Sequence, residues 1–93
     1  MNLDIERDVD YRVPALQRGL MVLEMFSSQQ RQLSSNVIAE RLGLSVSAIY
    51  RILHTLLEMG YLNKISKNTF ELGPQVMCNG FSYLASRDIV EIA

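Results

Sequence analysis

Ser47, Tyr50, Arg51, His54 and Glu58 stand three and four residues apart, the spacing that lines one face of an α-helix. A row of hydroxyl, phenol, guanidinium and imidazole groups suits hydrogen bonding to an extended polar partner. Arginine is the side chain best matched to guanine O6 and N7 or to a phosphate, and Ser, Tyr and His can meet base edges or backbone. Ile49, Ile52, Leu53 and Leu56 fall on the other side of the same helix, an apolar back that can dock on a core. A polar row alone is also what any solvated helix surface presents, so the elements around it must decide. Other chemistries find little support. His54 is the only histidine and has no second ligand at metal spacing, so no metal is expected. Cys78 is the only cysteine, which leaves no intrachain disulfide and no cysteine-based zinc site. It lies among Val76, Met77 and Phe81 and reads as a packed thiol. Neither a nucleophile–base pair, nor a glycine-rich phosphate loop, nor a carboxylate pair at useful spacing is present, so an enzyme is not expected and no cofactor is implied.

The elements that would position the row are legible on either side of it. Val13-Pro14 opens a first helix, because proline is tolerated at the first helical position. Leu16, Leu20, Leu23, Val22 and Phe26 recur in it at helical spacing and predict one buried face. Ser27 to Gln32 is polar and reads as a loop. Ser34 caps a second, short helix through Val37, Ile38, Ala39 and Leu42, although Val37 stands where a capping box would carry Glu or Gln. Gly43 ends it, since glycine takes the left-handed conformation that a tight turn needs. Ser45 caps a third helix from Val46 to about Met59. Tyr61–Ile65 and Asn68–Leu72 then alternate partly as strands around Ser66-Lys67-Asn68, a turn sequence. Gly73-Pro74 starts a fourth helix with Val76, Met77, Phe81 and Leu84 on one side. Ser86 reads as the cap of a further helix that the chain enters at 87–93. The fold class is mainly α: a winged helix-turn-helix with a three-helix core and a two-stranded β-wing, followed by a C-terminal helix and the start of a linker helix.

At 93 residues with 48% hydrophobic content, one core of useful size can form. The organisation expected is an acidic flexible tail at 1–12, a winged helix-turn-helix at 13–73, and the two further helical pieces at 74–93. MNLDIERDVD is too acidic and too short of apolar residues for a signal peptide, and no run approaches the roughly 20 apolar residues of a membrane span. A cytoplasmic location is the simplest expectation. The net charge of −1 hides an uneven distribution. Residues 1–10 carry −3, residues 11–70 carry +4 through Arg12, Arg18, Arg31, Arg41, Arg51, Lys64 and Lys67 against three acids, and residues 71–93 carry −2. The stretch expected to meet phosphate is basic, although +4 over sixty residues is also ordinary for a solvated surface. Lys64 and Lys67 flank the hairpin tip, where they serve phosphate or minor-groove contact, or solubility alone. Arg18 and Arg41 are equally open between phosphate contact and surface pairing.

VPALQRGLMVLEMF, LSSNVIAERLGLSVSAIYRILHTLLEMGYL, FELGPQVMCNG and SRDIVEIA, in this order and spacing, resemble the N-terminal domain of the IclR family. The resemblance runs from about Val13 to Ala93. It implies a bacterial one-component transcription factor, repressor or activator, whose larger C-terminal domain binds a small effector; this sequence carries no such domain. It also implies a DNA-reading helix at about 45–59, with Ser47, Ala48, Tyr50 and Arg51 on its exposed front half, and a wing at about 64–68. Ser45 and Val46 stand where the family usually has a basic residue or proline, and Ala48 where threonine is common. Val46 or Ala48 could there meet a thymine methyl.

The expected function is sequence-specific binding of double-stranded DNA by a homodimer on an imperfect palindrome, with no membrane partner and with any effector bound only through the missing domain. The residues expected to touch DNA are Ser45, Val46, Ser47, Ala48, Tyr50, Arg51, His54, Arg18, Lys64, Lys67 and Asn68. The rival reading is a winged helix used for protein–protein assembly without DNA binding.

Overall fold

Residues 10–87 are described in a computed structural model of the chain. Most of the acidic tail expected at 1–12, and all but the first residue of the linker helix expected at 87–93, lie outside them. The elements run α1 (Pro14–Glu24), β1 (Leu33–Ser34), α2 (Ser35–Leu42), α3 (Val46–Glu58), β2 (Leu62–Ser66), β3 (Thr69–Leu72) and α4 (Pro74–Ser86).

Local chemistry sets the boundaries where the sequence signals are strongest. Ser34 Oγ accepts from the Val37 N–H at 3.1 Å and so caps α2. Gly43 ends that helix at φ +71°, and the Leu44 N–H returns to the Ala39 carbonyl at 2.9 Å. This closes orphan carbonyls in the last turn and leaves only Leu44 and Ser45 before α3. Ser45 Oγ accepts from the Ala48 N–H at 3.2 Å. Pro14 and Pro74 stand at the first helical positions of α1 and α4, where no amide hydrogen is needed.

The sheet is antiparallel with strand order β1-β3-β2. The hairpin pairs Leu62 with Leu72 and Lys64 with Phe70, and a bulge at Ile65 shifts the register by one residue so that Ser66 faces Thr69 across the turn Lys67-Asn68. β1 is an addition to the expected two-stranded wing. Leu33 and Ser34 pair with Phe70 and Thr69, and the Ser35 N–H donates to the Asn68 carbonyl at 2.8 Å. The wing is thereby stitched to the start of α2.

Every element but α4 contributes to one core: Val22 from α1 and Phe26 just beyond its end, Leu33 from β1, Ile38 and Ala39 from α2, Ile49 and Leu53 from α3, Leu62 and Phe70 from the hairpin. Gly19 is also buried and faces Ile52 of α3. Three expectations are corrected. The apolar residues of α1 do not form one buried face: Leu16 and Leu20 are 62% and 53% exposed, because Gly19, Val22 and Phe26 define the inward side about a quarter turn or more away. α4 buries none of its residues, and Cys78 is exposed on it, not packed. Ser86 is the last residue of α4, with its hydroxyl donating back to the Tyr83 carbonyl at 2.7 Å, not forward as a cap.

Candidate nucleic-acid interface

The third helix presents its polar row to solvent as its periodicity predicts. Ile49 is fully buried and Leu53 nearly so, with Ile52 and Leu56 half-buried beside them. That anchoring fixes the rotation of α3 about its own axis, so Ser47, Ala48, Tyr50, Arg51 and His54 are all exposed. At the entrance to the helix, Ser45 Oγ and Ser47 Oγ lie 3.1 Å apart. Val46 is 41% exposed next to them, an apolar group among hydroxyls.

Further along, the row is internally organised. The Tyr50 ring, 66% exposed, stacks on the His54 imidazole with centroids 6.3 Å apart and planes inclined by 17°. His54 Nε2 in turn lies 3.5 Å from Glu58 Oε1, one turn on. An exposed pair of this kind contributes little to stability, but it gives the imidazole a preferred side to lean on. Arg51 has no carboxylate partner among the described residues. Thr55 is occupied: its hydroxyl donates to the Arg51 carbonyl at 2.8 Å.

Of the remaining cations, Lys64 is exposed on β2 and Lys67 on the turn. Asn68 has its backbone carbonyl committed to Ser35, while the residue itself is exposed. Arg18 is exposed on α1, a different helix from the row. Arg41 donates to Gln30 Oε1 at 3.0 Å, which favours its reading as a surface pair. Arg12 is neutralised locally: its Nε and Nη2 donate to the Asp10 carboxylate at 3.0 and 3.3 Å, and these bonds hold the Asp10 carboxyl below its ordinary pKa. The structure thus brings Ser45, Val46, Ser47, Ala48, Tyr50, Arg51 and His54 onto one helix, Lys64, Lys67 and Asn68 onto the wing, and leaves Arg18 apart. Among the described residues no group of acidic, histidine or cysteine side chains is arranged to hold a metal ion, and no helix is long and apolar enough to cross a membrane.

Sequence reasoning gave no role to Tyr61 or Asn79, whose side chains meet at 2.7 Å across eighteen residues of chain. Neither periodicity nor local spacing signals such a contact.

A capped helix-turn-helix with an outward polar row, beside a small antiparallel wing, defines the DNA-binding domain of a winged helix-turn-helix transcriptional regulator. The IclR helix-turn-helix domain profile matches residues 15–66, more than half of the sequence, and the chain belongs to the IclR family. The Pca regulon regulatory protein of Pseudomonas putida is 35% identical over 79 residues, covering 85% of this chain and 26% of that protein. The p-hydroxybenzoate hydroxylase transcriptional activator of Acinetobacter baylyi is 36% identical over 87 residues, covering 94% and 31%. The crystal structure of an IclR-family transcriptional regulator from Brucella abortus superposes with a TM-score of 0.71 at 32% identity, over 80% of this chain and 28% of that one. The chain therefore spans about a quarter to a third of the length of the curated relatives it matches. The family and these relatives are transcriptional regulators, not enzymes.

Proposed function

We propose that this chain reads double-stranded DNA by laying the front half of α3 in the major groove, with Ser45, Val46, Ser47, Ala48, Tyr50, Arg51 and His54 toward the bases and adjacent phosphates. Lys64, Lys67 and Asn68 of the wing then lie on the flanking backbone or minor groove, and Arg18 approaches a phosphate from α1. Two copies act together on an imperfect palindrome whose half-sites lie about one helical turn, roughly 34 Å, apart. The exposed apolar faces of α1 and α4, Leu16 with Leu20 and Met77 with Phe81, are the surfaces assigned to that pairing. Effector binding is placed outside this stretch, as is the choice between repression and activation.

The observation that supports this reading best is the rotation of α3. A buried apolar back holds the helix so that an exposed arginine, hydroxyls and a stacked Tyr–His pair share its open side. A winged helix serving only protein contacts has no need of an exposed guanidinium between two groups able to read bases.

The test is selection of bound duplexes from a random library by the wild-type chain and by Arg51→Ala in parallel. A palindromic consensus that the variant recovers only weakly is the expected outcome and supplies the operator. Failure to enrich any sequence, by the chain and by an artificially linked dimer at low salt, would leave the protein-interaction reading in its place.

A further inference from the structure

α4 leaves the body of the domain as a lever. None of its residues is buried, and it packs extensively against no other helix or strand. What fixes its direction is a joint at its foot, and Tyr61 is the centre of that joint. The Tyr61 N–H donates to the Leu56 carbonyl in the last turns of α3 at 2.9 Å, and its carbonyl accepts from the Gly73 N–H at 2.8 Å. Its phenol oxygen accepts from Asn79 Nδ2 at 2.7 Å, while Asn79 Oδ1 accepts from Gln75 Nε2 at 3.3 Å. Asn79 is thereby held with its amide nitrogen toward the phenol.

The backbone at the foot is just as close. The Gln75 N–H donates to the Gly60 carbonyl at 3.0 Å, and a Cβ on Gly73 would stand 2.4 Å from that same oxygen. These backbone contacts pin the base of α4 but leave its tilt free. The Asn79 contact lies four residues beyond the Gln75 amide, about 6 Å further along the axis at about 1.5 Å per residue, and it braces the tilt by a side-chain hydrogen bond. Met77, Phe81 and Leu84 lie on the side of α4 turned away from Gln75 and Asn79.

We propose that Tyr61 and Asn79 are positioning residues that fix the angle between α4 and the reading helix and so set the half-site spacing that paired chains accept. The proposal rests on the paired DNA-reading arrangement above. If copies meet through α1 and α4, a change in the angle at this joint shifts the two reading helices relative to one another by that change multiplied by the length of the lever. One base pair of extra spacing turns the second half-site by about 34° and moves it by about 3.4 Å. A lever free to swing through that angle would make neighbouring spacings equivalent; a braced one selects among them.

Two measurements on the full chain test this. In the first, spin labels are placed at Glu40→Cys on α2 and Ala85→Cys on α4 in a Cys78→Ser background, and their distance distribution is recorded by pulsed electron resonance. It should be narrow, and should broaden in Asn79→Ala and Tyr61→Phe with the thermal midpoint unchanged. In the second, each variant is titrated onto duplexes carrying the selected half-sites at the selected spacing and at spacings one and two base pairs longer or shorter. Affinity for a single half-site should stay put, while preference for the best spacing should fall by about two- to tenfold, the order of one hydrogen bond's net worth. Variants that keep the parent's distance width, or its spacing preference, would overturn the proposal. A parent chain that binds half-sites but never as a pair would instead overturn the paired reading, and the spacing role with it, while the first measurement still reports on the joint.

Discussion

Arg51 and Lys67 are both exposed cations, yet the positions they occupy assign them different work. Arg51 sits mid-row on a helix whose rotation is locked by Ile49 and Leu53, so its guanidinium can meet a base edge in fixed register. Arg51→Ala should therefore weaken the selected site by about 1–3 kcal/mol and relax preference at one position. Lys67 sits on a two-residue turn beyond the end of β2, a place suited to a phosphate contact under the proposed reading. Lys67→Ala should weaken all duplexes alike and lower the slope of log affinity against log salt by about one. Titrations of the selected and a scrambled duplex at several salt concentrations check both, and a loss at Lys67 confined to one sequence would contradict its phosphate role. At this scale the sequence was informative where function follows from local spacing. Ser34, Ser45 and the polar row all depend on neighbours three or four residues away, and all stand where the pattern put them. Cys78 did not: its apolar neighbours along the chain predicted packing, whereas it is exposed on a helix that buries none of its residues.

Between α2 and α3 the chain turns on a single residue, and this makes the element scale easy to perturb. Gly43 has φ +71° and open space around its missing Cβ, so replacement by alanine meets no clash and isolates the cost of the left-handed backbone. Gly43→Ala should destabilise the domain by about 1–2 kcal/mol, lowering the thermal midpoint by about 4–16 °C for a domain of this size. Gly73→Ala is a different experiment. Its φ is ordinary, but the new methyl would collide with the Gly60 carbonyl, so the foot of α4 must shift. Its unfolding midpoint should fall too, and amide exchange at Gln75 should speed up, whereas Gly43→Ala leaves that amide protected. Equal exchange in both variants would show that the Gly60–Gly73 contact does not hold α4. The glycines were readable as helix stops, but not the close approach of Gly60 and Gly73, which the hairpin creates between positions thirteen apart. β1 escaped notice for a related reason: two residues carry no alternation, and Leu33 becomes a strand only because Phe70 arrives beside it.

For the whole molecule the open question is what covers the outer side of α1. Helical spacing put Leu16, Leu20 and Leu23 first on the buried face, with Val22 and Phe26 as additions, since periodicity reports a face but not how many faces a helix must bury. Within one copy Val22 and Phe26 are covered while Leu16 and Leu20 are not. Apolar side chains on α4, Met77 and Phe81, are left open in the same way. An isolated domain gains nothing by keeping these residues in water, and a two-fold pair would bury each of them twice, once per copy. This separates the two roles of α1 experimentally. Leu16→Glu changes a position more than half exposed in the single copy, so the thermal midpoint at low concentration should move little, within about 0.5 kcal/mol of stability. Self-association should suffer far more, because losing one leucine from each side of a symmetric interface removes about 3–6 kcal/mol of apolar burial. Val22→Ala should behave in the reverse way, lowering the midpoint through a cavity in the core, by about 0.5 kcal/mol per methyl or more, at any concentration. Sedimentation equilibrium alongside thermal melts across a concentration series distinguishes them. A Leu16→Glu chain that associates as the parent does would remove α1 from the pairing surface and leave α4 alone to carry it.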